Sequence, residues 1–127
     1  MTHIQNARIT DATIQFERGF ALTAWIHVEM EDGNQGFGGF VMGGNPFDEN
    51  VACAKHQNQK NLAADVIGGF MAIADVESWD KMKGKVIRVE HETSGWSGPI
   101  LAIGHAFKDR WYRPKERFAF LGAGSRD

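Results

Sequence analysis

Five cations fall within ten residues in the segment Lys108-Asp109-Arg110-Trp111-Tyr112-Arg113-Pro114-Lys115-Glu116-Arg117, around two adjacent aromatic rings. Guanidinium groups take phosphate oxygens two at a time, and an aromatic face is worth about 1 to 3 kcal/mol for each base stacked on it. Together they suit a nucleotide-like anion. The same residues also fit a solvated basic edge with Trp111 and Tyr112 anchored in a core, and both readings stay open at this level. Upstream, Trp96 is flanked by Ser94, Gly95, Ser97 and Gly98. An indole in such a loop either plugs the end of a core or walls a pocket, and Ser94 and Ser97 can donate to phosphate or ribose.

Other constellations are thinner. Gly33-Asn34-Gln35-Gly36-Phe37-Gly38-Gly39-Phe40-Val41-Met42-Gly43-Gly44 begins like a dinucleotide fingerprint, but a loop with Pro46 follows instead of a helix, and no Gly-Lys-Ser/Thr ending is present. It reads either as a bulged, twisted strand or as a backbone surface that a flat ligand or second chain can approach. His3, His27, His56, His91 and His105 lack metal spacing, and Cys53 with His56 lacks an orienting partner. No metal, cofactor or catalytic residue is expected. Asp75, Glu77 and Asp80 read as solvated carboxylates at a helix end.

These residues need a scaffold, and 127 residues suffice for one domain, here 1–127, without disulfides. Apolar residues make up 43% and charged residues 24%, which excludes disorder and fibrous repeats. The lone Cys53 fits a reducing compartment, and the start MTHIQNARIT lacks the marks of a signal peptide, so a cytoplasmic protein is expected. Charge is uneven: net −5 over residues 1–50, 0 over 51–107 and +3 over 108–127. A general nucleic-acid coat is therefore disfavoured, while positive charge gathers near the C-terminal end.

Residues 4–17 and 20–30 read as strands, the second with Leu22, Ala24, Ile26, Val28 and Met30 on one face. After the turn chemistry of Glu31-Asp32-Gly33-Asn34, residues 35–42 make a third strand of an antiparallel meander. Residues 43–60 are a long loop, and 62–76 form a helix whose apolar stripe leaves Asp65, Gly68, Ala72 and Asp75 on the other side. Gly68 and Gly69 each cost about 1 kcal/mol relative to Ala, so something should pack close there, the sheet or a second subunit. Alternation returns at 85–93, and 100–105 is an apolar fifth strand. Pro114 bars a continuous helix through Arg113. The expected fold is α+β: a five-stranded antiparallel sheet, three strands, helix, two strands, with one main helix packed on it.

Several strings in order resemble one family. They are Ile4 to Thr10, Arg18-Gly19-Phe20 leading to Leu22-Thr23-Ala24-Trp25, Gly33 to Phe40, Val76-Glu77-Ser78-Trp79 with Lys83-Gly84-Lys85, and Ala102-Ile103-Gly104-His105 running into Lys108-Asp109-Arg110-Trp111. They look like the phage anti-Thoeris sponge proteins that sequester glycocyclic ADP-ribose signals. The likeness covers most of the chain, is weak in residues 43–61 and is absent after Arg117. Residues 43–61 look longer and more polar than the family's, which leaves oligomer contacts open.

The resemblance implies a non-enzymatic protein that captures a cyclic ADP-ribose signal in the cytoplasm of the infected bacterial host. It implies a homodimer or higher homo-oligomer, hexamers included, with signal pockets at subunit interfaces, cyclic oligonucleotides at separate sites in some members, and no membrane partner. The pocket is expected around the Trp96 loop and the basic segment. There Lys108, Arg110 and Arg113 would neutralise the pyrophosphate, Trp96 or Phe37 would stack on adenine, Asp109 would accept from a ribose hydroxyl, and Ser97, Arg88 and His105 would complete the lining. Two rivals share these residues: a single-stranded nucleic-acid or other nucleotide-binding phage accessory protein, and a hydrolase with His105 or Glu92 as base.

Overall fold

Strict alternation produces a strand with one dry face. In the computed structural model, which describes residues 2–18, 21–31, 33–44, 62–92 and 98–121, strand β2 (Ala21–Met30) buries Ala24, Ile26 and Val28 and turns Trp25, His27 and Glu29 outward. It pairs antiparallel with β1 (Thr2–Glu17) and β3 (Gly33–Gly44), forming the meander. Residues 8–17 of β1 pair with β2, whereas residues 2–8 pair with β4 (Val86–Glu92). Because the two halves of one strand have different neighbours, and a bulge interrupts the register between Ile9 and Asp11, the sheet curls into a half-barrel. It continues through β5 (Ile100–His105) and β6 (Trp111–Tyr112), in the order β3-β2-β1-β4-β5-β6.

The antiparallel α+β architecture holds, but with six strands in place of five. The additional strand is Trp111 and Tyr112, paired with Gly104 and Ile103; two residues carry no period that could announce them. Helix α1 (Leu62–Ala74) buries Leu62, Val66, Phe70, Ile73 and Ala74. A second helix, α2 (Pro114–Leu121), was not expected. Pro114 does stop a helix from running through Arg113, and it starts α2 because its missing N–H is one that no first-turn residue pairs. Phe118 of α2 meets Phe40 of β3 edge-on, with ring centroids 4.9 Å apart.

The glycine-rich run in β3 has a partner within the chain. The indole of Trp25 lies across it: a Cβ at Gly36 would sit 3.3 Å from that ring, and one at Gly39 only 2.4 Å. Glu17 holds the indole in place, its Oε2 accepting from Trp25 Nε1 at 2.6 Å and from the Thr23 hydroxyl at 3.0 Å. Phe37 points the other way and packs against Phe70 with centroids 5.5 Å apart.

Helix α1 ends at Asp75, whose φ is 64°. The N–H groups of Asp75 and Val76 return to the carbonyls of Ala72 and Met71 at 3.3 and 3.1 Å, closing a Schellman turn in a position usually held by glycine. Among the described residues no helix is long and apolar enough to cross a membrane.

Candidate functional site

The short strand β6 divides the basic segment between two faces of the sheet, since successive side chains point opposite ways. Tyr112 points inward against α1, where its ring takes the space a Cβ at Gly69 would need: that atom would lie 2.4 Å from Cε1. The cost of Gly69 is thus explained by the sheet. Gly68 is different, because a Cβ there would meet nothing within 4 Å. It opens onto a cleft of about 370 Å³ between α1 and β6, floored by Ala64, Gly68 and Ala72 and walled by Arg110, Tyr112 and Arg117.

One wall is a closed hydrogen-bonded group. Asp65 accepts from the Tyr112 hydroxyl at 2.9 Å and from Arg117 through Nη2 at 2.6 Å and Nε at 3.3 Å. Burial pushes the Asp65 carboxyl up, but the bonds from Arg117 and Tyr112 outweigh it and leave the group below its ordinary value. Burial and the same carboxylate push the Tyr112 phenol far up, so it stays a donor. Arg110 is the open wall. Its Nη1 donates to Ala72 O at 2.9 Å, near the negative end of the α1 dipole, while the residue stays exposed at the cleft edge.

Behind Arg110 the turn from His105 to Arg110 is tied on both sides. His105 is 3% exposed, and its Nδ1 accepts from the backbone N–H groups of Phe107 and Lys108 at 3.2 and 3.1 Å. The ring proton therefore sits on Nε2, facing Asp75 Oδ2 at 3.4 Å. That bond lowers the Asp75 carboxyl, with Lys108 and Arg110 adding to it. Arg88 donates from Nε to His105 O and from Nη2 to Lys108 O, both at 2.7 Å.

On the outer face Trp111 lies flat on Gly104, where a Cβ would be 2.6 Å from the indole. Arg88 and Arg113 sit over that ring at 4.9 and 5.3 Å from its centroid, and Arg113 is paired with Glu90. The bond from Arg113 lowers the Glu90 carboxyl against the opposing effect of burial.

These positions revise the expected pocket. Lys108, Asp109 and Arg110 are together on an exposed turn, and Arg110 borders the cleft. Arg113 is on the other face, already neutralised by Glu90. Phe37 is 5% exposed and part of the core, so it offers no face to a base. His105 has both ring nitrogens engaged, and Arg88 braces the backbone; neither lines the cleft. Trp96 and Ser97 lie outside the described residues, as do Ser94 and Cys53. Asp75 is a partner of His105, not merely a solvated helix-end carboxylate. Sequence reasoning missed Asp65, the key acceptor of the cleft wall; its place on the polar side of α1 was the one available signal. Among the described residues no three His, Cys, Asp or Glu side chains gather to hold a metal.

Asp65 and Glu90 set a pH dependence. Both carboxyls lie lower in the folded chain than their ordinary values of 3.8 and 4.5. Their contribution is therefore full at neutral pH and is lost as pH falls through the carboxylate range. Asp65→Asn is expected to cost about 1 to 3 kcal/mol at pH 7 by removing the charged acceptor that Arg117 and the Tyr112 hydroxyl share. In urea melts across pH, that gap should narrow below about pH 4; a constant gap would refute the assignment.

The fold and cleft define an α+β protein with a curled antiparallel sheet and an arginine-edged groove beside its main helix. Compared with known proteins, the chain matches no family model, no curated protein and no solved structure.

Proposed function

We propose that this chain is a non-enzymatic binding protein that sequesters a cyclic ADP-ribose-type signal in the cytoplasm of an infected bacterium and so blocks antiphage defence. The observation that carries the reading is the cleft of about 370 Å³ lined by Arg110 and by Gly68, whose missing side chain leaves open space. Such a volume lies at the lower end of the roughly 300 to 1,000 Å³ of small-molecule sites. A second copy closing over it would complete a pocket for a dinucleotide-sized ligand, in keeping with the oligomers that the resemblance to anti-Thoeris sponge proteins implies. Cyclic oligonucleotides would occupy a separate site.

Capture without turnover is supported by the state of the ionisable groups near Arg110. Asp65 is held ionised by two donors, and His105 uses both nitrogens to brace the turn, which leaves neither as a free base. The division of the cations between two faces favours a compact ligand over an extended single strand, which needs a continuous basic track.

Calorimetric titration with cyclic and glycocyclic ADP-ribose, with cyclic trinucleotides and single-stranded oligonucleotides alongside, tests the reading. One glycocyclic isomer should bind in the nanomolar range, about −12 kcal/mol, and be recovered intact after denaturation. Arg110→Ala should weaken it roughly tenfold or more, the worth of a charge-assisted phosphate contact. Affinity that instead rises with oligonucleotide length and collapses with salt would establish the nucleic-acid reading.

A further inference from the structure

A phenylalanine ring gains nothing from standing in water, yet Phe107 is 79% exposed, more than any other large apolar side chain among the described residues. The ring is not loose. It meets His105 edge-on at 4.7 Å with the planes 89° apart, and its own backbone N–H donates to His105 Nδ1. His105 is itself buried and faces Asp75, which closes α1 in a left-handed conformation that residues with side chains seldom adopt. Arg88 clamps the carbonyls at both ends of the His105 to Lys108 segment. An exposed turn is thus locked by a buried imidazole, a strained helix end and a guanidinium, the kind of local cost that marks a working surface.

The turn presents an aromatic face with Lys108 and Arg110 within three residues of it, and Arg110 also borders the cleft. A flat ring next to cations matches a ligand with a base on one end and phosphate on the other. We propose that Phe107 is the base-stacking residue of this protein, holding the purine of a nucleotide whose phosphates meet Lys108 and Arg110. The proposal deepens the sequestration reading and rests on it for the cyclic ligand, though not for nucleotides in general.

The test compares full-length wild type with Phe107→Ala and Phe107→Trp by calorimetry against glycocyclic ADP-ribose, ADP and base-free pyrophosphate. Phe107→Ala should weaken both nucleotides about 5- to 150-fold, the equivalent of about 1 to 3 kcal/mol for one stacked base, and leave pyrophosphate unchanged. Phe107→Trp should restore the nucleotide affinity. Because the ring is exposed, both variants should melt within a few degrees of wild type. If wild type binds the cyclic ligand and Phe107→Ala binds it equally well, the stacking assignment falls while sequestration stands. If wild type ignores the cyclic ligand but binds ADP in a Phe107-dependent way, sequestration falls and the stacking face stands. A wild type that binds neither nucleotide overturns both.

Discussion

Phe70→Ala is expected to cost about 3 to 5 kcal/mol, the usual range for emptying a buried aromatic site. The ring is fully buried and joins three parts of the molecule: Phe37 on β3 at 5.5 Å, Tyr112 on β6 at 5.7 Å and Trp79 after α1 at 6.2 Å. The cavity cannot collapse easily, because Gly69 and Tyr112 are already in close contact and Tyr112 is tied to Asp65. Thermal melting should fall by roughly 10 to 20 °C. Phe70→Leu, which keeps most of the volume, should lose much less, about 1.5 kcal/mol. Nearly equal losses for the two variants would mean that α1 does not seat on the sheet through this ring. Since Tyr112 forms the cleft wall, the alanine variant should also bind the proposed cyclic ADP-ribose ligand less well at temperatures where it remains folded.

Gly38→Ala is expected to destabilise by about 2 to 5 kcal/mol, the sum of backbone strain and overpacking. The φ of Gly38 is +129°, a region closed to side chains, and a Cβ there would lie 2.3 Å from the carbonyl oxygen of Ala24. The obstacle is backbone at a β-bulge between Ala24 and Trp25, so it cannot rotate away. Gly68→Ala provides the contrast. Its Cβ would enter open space inside a helix, so denaturant melts should show a gain of about 0.5 to 1 kcal/mol while the cleft floor rises by one methyl group. A Gly68→Ala chain that is more stable yet binds the proposed cyclic ADP-ribose ligand more weakly would show that this glycine is kept for what approaches it. Equal stability changes at Gly38 and Gly68 would contradict both assignments.

Much of the scaffold was readable in residue order because its signals are local. The inward face of β2 and the buried stripe of α1 follow from period 2 and period 3.6, each written within one segment. Inward-facing Ile87, Val89 and His91 on β4 follow in the same way. The basic segment was visible as composition, and folding puts its Lys108 to Arg110 portion on an exposed turn. Phe107 escaped notice because an exposed ring and a core ring are the same letter.

Residue order by itself carried the local half of this protein: which stretches alternate, which stripe a helix buries, and where positive charge concentrates along the chain. Folding decided the rest. Tyr112 and Arg117 meet Asp65 across 47 and 52 residues, and His105 faces Asp75 across 30. Which cation faces the cleft and which is spent on Glu90 depends on a strand of two residues whose inward and outward sides are set only by pairing with β5. The glycines of β3 likewise acquire their reason from Trp25 on the neighbouring strand. Periodicity is a property of neighbours in sequence, whereas partnership is a property of neighbours in space, and only the packed sheet brings the second kind together.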